Sequence, residues 1–282
     1  MNNQQKHDRS GERERIEIEL LLEGLYRFYG YDFRNYAFSS VRRRILHRVS
    51  AERLPSVTAL TEQILHNRDA MDRLLSDLTI HVTEMFRDPQ VFLAFREKVV
   101  PMLRTYPFIR IWHAGCSTGE EVYSMAILLK EEGLYDKTRI YATDMNEQVL
   151  ETAKAGVFPL ERMQIFTRNY MEAGGKVSFS QYYTAKYNSV IFHSGLRENI
   201  VFAQHNLVSD RSFNEFNVIF CRNVMIYFNK ELQDHVHELL YDSLSSFGVL
   251  ALGTKESITF TRHADAYQEL DDSHSRLYRK LR

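Results

Sequence analysis

Apolar positions recur at helical spacing through the first third of the chain and then give way to alternating strand and helix patterns. Ile16, Leu20, Leu21, Leu25 and Phe28 read as a helical stripe that ends near Gly30. A second helix follows Ser39, with Val41, Ile45 and Val49 facing inward and Arg42, Arg43, Arg44 and Arg48 covering the other sides. Leu60, Ile64 and Leu65 mark a third helix, and Met71, Leu74, Leu75 and Leu78 a fourth. No strand alternation occurs before residue 80. Residues 16–87 are therefore expected to form a small all-helical domain behind a polar, disordered tail of residues 1–15. Asp88-Pro89 reads as a helix start, with Asp as N-cap and Phe92, Phe95 and Val99 as the apolar face of a linker helix over 88–107.

From Phe108 the pattern changes. Phe108 to Trp112 reads as a strand that stops at Gly115, and Val122, Met125, Ala126 and Leu129 then recur as a helix. Arg139 to Asp144, Ile200 to Ala203, Asn217 to Cys221 and Val249 to Leu252 are further strands. A helix through Val149 and Leu150 ends near Gly156, and another runs from Asn229 to Leu244. Such alternation predicts an α/β fold with a doubly wound, Rossmann-like parallel sheet over 108–282, whose ligands bind beyond the carboxyl ends of the strands. One passage breaks the rhythm. Between Gly174-Gly175 and Glu198, the run Phe179 to Phe192 is rich in Tyr, Val and Ile, which predicts an inserted antiparallel hairpin turning at Lys186-Tyr187-Asn188-Ser189.

The turn Ala114-Gly115-Cys116-Ser117-Thr118-Gly119 opens a βαβ unit, and its glycines let a ligand approach backbone at a helix N-terminus. It has neither the lysine of a P-loop nor dinucleotide glycine spacing, and Glu120 and Glu121 would repel a pyrophosphate. A ligand with positive charge or neutral hydroxyls is favoured, and S-adenosylmethionine carries both; a plain strand–turn–helix without ligand fits the same residues. Asp144, about 25 residues after Gly119, is placed either to accept from ribose hydroxyls or to cap the next helix. Asn206-Leu207 and Arg222-Asn223 follow two other strands on the same sheet edge.

Composition narrows the class. At 282 residues and 44% hydrophobic content the chain can bury a large core without metals or disulfides, and no metal site is expected. Its net charge of −1 gives no general affinity for nucleic acid, and no apolar run approaches the roughly 20 residues that span a bilayer. Cys116 and Cys221 have no histidine in sequence context to activate them, so they read as small packing residues suited to a reducing compartment. The polar N-terminus resembles neither signal peptide nor anchor, and a cytoplasmic monomer is expected.

From about residue 16 to 280 the chain resembles the CheR-type protein-glutamate methyltransferases, which methylate bacterial chemoreceptors. The resemblance rests on Thr83-Glu84-Met85-Phe86-Arg87-Asp88, Ala114 to Glu121, Ala142-Thr143-Asp144, Asn206-Leu207 and Phe220 to Phe228. It implies S-adenosyl-L-methionine as cofactor, S-adenosyl-L-homocysteine as product, and cofactor binding by His81, Thr83, Arg87, Gly115, Glu121, Asp144, Asn206, Leu207, Arg222 and Asn223. It also implies transfer of a methyl group to glutamate carboxylates of a helical chemoreceptor or similar signalling protein. A non-catalytic scaffold of the same fold is the alternative. Three departures stand out: His81 in place of an Asn, Val122 in place of a Pro, and Gly253-Thr254-Lys255-Glu256-Ser257 in place of Gly-His-Ser-Glu.

A glutamate of ordinary pKa near 4.3 is already a carboxylate at pH 7, so no general base is needed and in-line positioning carries the barrier reduction. Arg87 is the residue expected to hold the carboxylate or the cofactor, and Tyr227 to donate to the attacking oxygen or cover the methyl group. The arginines 42, 43, 44 and 48 are expected to dock an acidic receptor helix. Gly174-Gly175-Lys176 does not reproduce the Gly-x-Gly loop with which some family members grip a receptor tether, so tether binding is expected to be absent or altered.

Overall fold

The computed structural model describes residues 3–79, 82–259, 261–270 and 275–282, with side chains from residue 11 onward. It divides into two compact units, Met1–Ile80 with Tyr227–Gln233, and His81–Ile226 with Asp234–Arg282. No helix among the described residues is long and apolar enough to cross a membrane.

The first unit is helical: α1 (Asn3–Tyr29), α2 (Phe38–Ala51), α3 (Val57–His66) and α4 (Arg68–Leu78). The tail expected to be disordered to residue 15 is instead part of α1 from Asn3. Its Gln, Lys, Arg and Glu are good helix formers, and Arg15 pairs with Glu19 one turn on. The buried stripe of α1 is Ile18, Leu21, Leu22 and Leu25, whereas Ile16, Leu20 and Phe28 are exposed. The i, i+3, i+4, i+7 set is the one that lies on a single face. Both α3 and α4 are capped as side-chain chemistry predicts, Ser56 accepting from Ala59 N–H and Asn67 from Asp69 and Ala70 N–H. The segment Tyr227–Gln233 is tied in by Ala37 N–H to Tyr227 O at 2.8 Å, Asn229 N–H to Asn35 O at 2.9 Å, and Tyr36 against Phe228.

The second unit is built on a seven-stranded sheet in the order β6-β2-β1-β7-β8-β10-β9. The strands are β1 (Ile109–Ala114), β2 (Thr138–Asp144), β6 (Ile200–Gln204), β7 (Phe216–Cys221), β8 (Leu244–Leu252), β9 (Tyr267–Glu269) and β10 (Leu277–Lys280). From β6 to β8 the pairing is parallel, as expected. The sheet is nonetheless mixed, because β10 pairs antiparallel with both β8 and β9. These short terminal strands lack a clear alternation, and only their partners define them. Central β1 and β7 are buried on both faces and read as near-continuous apolar runs. The helices are α7 (Glu120–Glu131), α8 (Glu147–Ala155), α9 (Met163–Glu172) and α10 (Lys230–Ser243), the last beginning within the segment that groups with the first unit.

The linker helix expected over 88–107 belongs to the second unit and not between the two. It runs as α5 (Pro89–Ala94), a π-turn (Phe95–Val99) and α6 (Val100–Leu103), and it buries Phe92, Phe95 and Val99 in the main core. Pro101 has no N–H to return to Glu97, which accounts for the widened turn just before it. The domain boundary accordingly falls at residue 80 and not at 87.

The insertion is a three-stranded antiparallel sheet, β3 (Val157–Pro159), β5 (Ser189–Phe192) and β4 (Tyr183–Lys186) in the order β3-β5-β4. The β4–β5 hairpin turns at Tyr187-Asn188 as expected, with Tyr187 at φ 53°. The strand β3 was not legible, since its three residues follow Gly156 directly. Gly174-Gly175 is not part of the hairpin. It ends α9, with Gly174 at φ 75° and Gly175 so close to the Tyr170 ring that a Cβ would lie 2.2 Å from it.

Candidate functional site

In the parallel part of the sheet the carboxyl ends of β6, β2, β1 and β7 are adjacent, so the loops after them share one edge. The chain moves from β1 to β2 and β6 on one side and then to β7 and β8 on the other. Neighbouring β1 and β7 therefore flank the point where strand order reverses, the place where such sheets take ligands.

The turn after β1 is laced to β2. Gly115 and Cys116 N–H both donate to Thr143 O at 2.8 Å, and Ser117 N–H donates to Asp144 Oδ2 at 3.0 Å. Asp144 Oδ1 takes the N–H of Asn146 at 3.0 Å, and Asn146, not Asp144, caps α8 through Gln148 N–H. Asp144 is thus fixed at the tip of β2 by backbone donors to both of its oxygens. Gly115, at φ 75°, has no room for a Cβ, which would fall 2.6 Å from Val224 in the loop after β7. The turns after β1 and β7 therefore touch because residue 115 has no side chain.

Behind these turns lies a part-buried charge cluster. Glu121 Oε1 is 3.0 Å from His113 Nδ1, and its Oε2 accepts from Arg222 Nη1 at 2.8 Å. Arg222 also donates through Nη2 to Asp88 Oδ2 at 2.7 Å and to Arg87 O at 3.2 Å. Burial alone would raise the Glu121 pKa, but the His113 hydrogen bond and the Arg222 charge prevail and hold it below the ordinary carboxylate range. Asp88 does occupy the residue before Pro89, but its side chain makes no cap and serves Arg222 instead. Glu120, by contrast, is pushed up by burial, partly offset by the hydroxyl of Thr118 at 2.6 Å.

Arg87 sits between two residues in left-handed conformation, Phe86 at φ 52° and Asp88 at φ 55°. Such backbone persists only where surroundings hold it. Here Phe86 N–H donates to Ser124 Oγ at 2.8 Å, its ring packs edge-on against Phe92 and Tyr170, and Arg222 clamps Arg87 O and Asp88. The Arg87 guanidinium donates to Val82 O at 3.0 Å and is part exposed. Thr83 is fixed through its carbonyl, which accepts from Arg162 at 3.0 Å. His81 lies outside the described residues.

Sequence reading missed the residue that shapes the loop after β7. The Glu256 carboxylate accepts four backbone N–H groups, from Asn223 (2.8 Å), Val224 (2.9 Å), Met225 (2.8 Å) and Gly253 (2.7 Å). Burial raises its pKa and these donors oppose the rise. Asn223 is held at φ 61°, and a Cβ on Gly253 would fall 2.7 Å from Glu256 Oε2. The stretch that departs from Gly-His-Ser-Glu thus retains the two residues, Gly253 and Glu256, that make the contacts. Asn206 Oδ1 accepts from Val208 N–H at 3.0 Å and so caps its own loop, while Leu207 is buried beside it.

The four arginines of α2 do not form one exposed face. Arg44 is buried at 7% exposure, donates to Leu78 O at 2.6 Å, and stands 4.9 Å from the centre of the Tyr227 ring. Arg48 is paired with Asp77 at 2.7 Å and Arg42 with Glu14 at 2.5 Å. Only Arg43 is exposed with no ion pair among the described residues. Residues 41, 44, 45 and 48 share one helix face, which is why two arginines are drawn into the packing. Tyr227 belongs to the first unit, its ring against Arg44. Cys116 and Cys221 are free and buried, and burial pushes both thiols well up, so neither is a nucleophile.

Strand order, a glycine-relieved turn and an edge that offers carboxylates instead of a P-loop lysine suit a cofactor with a sulfonium, an ammonium and ribose hydroxyls. Asp144 and Glu121 are the anions of that edge, and Gly115 lets the turns after β1 and β7 meet beside them. The second unit is a Rossmann-like, S-adenosylmethionine-dependent methyltransferase domain. Residues 81–274 match the CheR methyltransferase SAM binding domain and residues 16–79 the CheR methyltransferase all-alpha domain, so the chain belongs to the CheR methyltransferase family. It is 51% identical over 265 residues to a Pseudomonas putida protein named Cher3, covering 94% of this chain and 97% of that one. Over 262 residues it is 32% identical to chemotaxis protein methyltransferase 2 of Pseudomonas aeruginosa, covering 88% and 89% of the two chains. Against chemotaxis protein methyltransferase 1 of Vibrio cholerae it is 29% identical over 237 residues, covering 78% and 81%.

Proposed function

We propose that this methyltransferase acts in the cytoplasm on glutamate side chains of a chemoreceptor or receptor-like helical signalling protein, forming glutamyl γ-methyl esters. The observation that carries the reading is similarity through both domains to proteins named as chemotaxis methyltransferases. When bound, S-adenosylmethionine supplies a methyl group on a positively charged sulfur and leaves as neutral S-adenosylhomocysteine.

The chain's own residues then have to position rather than to move protons. The substrate carboxylate is ionised at neutral pH, its oxygen forms the new bond to the methyl carbon, and the carbon–sulfur electron pair stays with sulfur. Asp144 is assigned to the ribose hydroxyls, and Glu121, Thr83, Asn206, Leu207, Arg222 and Asn223 to the rest of the cofactor. Arg87 is the residue proposed to steady the incoming carboxylate, because its backbone is clamped on both sides while its guanidinium is part exposed. Tyr227 is proposed to cover or donate to the reacting oxygen. For receptor docking, Arg43 is the arginine of α2 left to meet an acidic helix, with Arg42 able to exchange its exposed Glu14 partner.

Incubation with radiolabelled cofactor and membranes from the protein's own cell tests this. Base-labile label on a membrane receptor is expected. Intact cofactor binding with no base-labile label on any protein would instead favour a scaffold of the same fold.

A further inference from the structure

Among the side chains of the cofactor edge that the expected binding set does not include is His113. It lies on β1 with its ring wholly buried, parallel to Phe220 at 5.0 Å and 24°. Its Nδ1 is 3.0 Å from Glu121 Oε1, and its Nε2 is buried with no hydrogen-bond partner among the described residues.

An ionised carboxylate only accepts, so this contact requires a hydrogen on Nδ1. The unpartnered Nε2 then carries a lone pair in neutral imidazole, whereas imidazolium would bury a second N–H donor with no acceptor, at greater cost. The geometry points to the neutral Nδ1–H tautomer. On the far side of Glu121 stands Arg222, whose single positive charge is shared with Asp88. Two carboxylates facing one guanidinium and one neutral imidazole leave the cluster with an excess negative charge beside a site for a cationic cofactor.

We propose that His113 is a positioning residue for S-adenosylmethionine: it holds the Glu121 carboxylate between itself and Arg222 without cancelling its charge. Without the Nδ1–H, Glu121 is restrained by Arg222 alone and turns toward it. The carboxylate is then no longer preset for the ligand, and binding has to order it.

The test needs no acceptor protein, so its outcome is independent of glutamate methylation. On unliganded protein, ¹⁵N chemical shifts of the His113 ring report the tautomer directly; Nδ1–H is expected, and a protonated Nε2 with a bare Nδ1 would overturn the proposal. Calorimetric titration with S-adenosylmethionine is then compared for wild type, His113→Leu and His113→Asn, alongside thermal melts. Asn places an amide N–H close to the Nδ1 position, so H113N is expected to bind within about threefold of wild type while H113L weakens about tenfold or more. If H113L binds as wild type does, or if H113N and H113L weaken equally, His113 is only a packing residue. Should H113L fail to fold, the tautomer and the H113N affinity still decide.

Discussion

Single side chains account for much of how this site is held, and Glu256 has the largest share. One carboxylate satisfies four backbone donors that would otherwise face each other across a tight turn. Glu256→Gln keeps one acceptor oxygen and turns an NH₂ toward N–H groups. It should cost about 2–4 kcal/mol of stability and loosen cofactor binding through Asn223. Urea unfolding with parallel calorimetry checks this, and an unchanged midpoint would mean that the turn is held by something else. A second contrast separates the arginines of α2. Arg44→Ala removes a buried hydrogen bond and a ring contact, so a loss of about 2 kcal/mol is expected. Arg43→Glu should leave the melting temperature unchanged and weaken methylation of an acidic receptor helix, increasingly less so as salt is raised. If Arg44→Ala leaves stability untouched while Arg43→Glu lowers it, the two roles are reversed. These outcomes differ because two adjacent arginines lie on different helix faces, which a reading by charge runs overlooks and a reading by i, i+3, i+4 spacing catches.

Among the elements, the junction of β1 with α7 was the most legible and the terminal strands the least. The strand–turn–helix announces itself through a β-rich run, glycines and a helical apolar face, all local signals. Its closeness to the loop after β7 is not local, since Gly115 meets Val224 more than a hundred residues away. Gly115→Ala combines a positive φ with a Cβ 2.6 Å from Val224, so the two turns must part. A fall of at least tenfold in cofactor affinity is expected, with the sheet's circular dichroism unchanged; equilibrium dialysis with labelled cofactor reads it, and wild-type binding would show that the loops yield freely. Strands β9 and β10 and the insertion strand β3 went unread because each is only three or four residues long without a clear alternation, and β3 and β10 are defined by pairing with β5 and β8, well separated from them along the chain. The linker helix was found but misplaced: its apolar face was visible, and only packing tells which core that face enters.

For the molecule as a whole, buried charges set the response to acid. Glu121 and Glu132 are both held below their ordinary 4.5, against burial, by the His113 hydrogen bond and the Arg222 charge in one case and by hydrogen bonds and charges from Lys176 and Arg96 in the other. Their contribution is complete above pH 4.5 and is lost as pH falls through their folded values. Glu120 and Glu256, pushed up by burial, act oppositely, and protonating them on the way down to pH 4.5 favours the folded state. Stability of the second unit should therefore hold on acidification to about pH 4.5 and then drop steeply, with mutation Glu121→Gln flattening the drop. Melting temperatures measured from pH 7 to 3 test this, and a steady decline beginning above pH 6 would contradict it. The same division between local and distant causes governs what could be read beforehand. Hydrophobic periodicity, turn glycines and caps are properties of neighbouring residues, so the helical first domain, the five parallel strands, the hairpin and the acidic turn followed from residue order. Which arginines are exposed, where the domain boundary lies, and that His113, Asp88 and Glu256 brace the cofactor edge depend on contacts between residues far apart along the chain. Those contacts exist only once the sheet is assembled and its strand ends stand side by side.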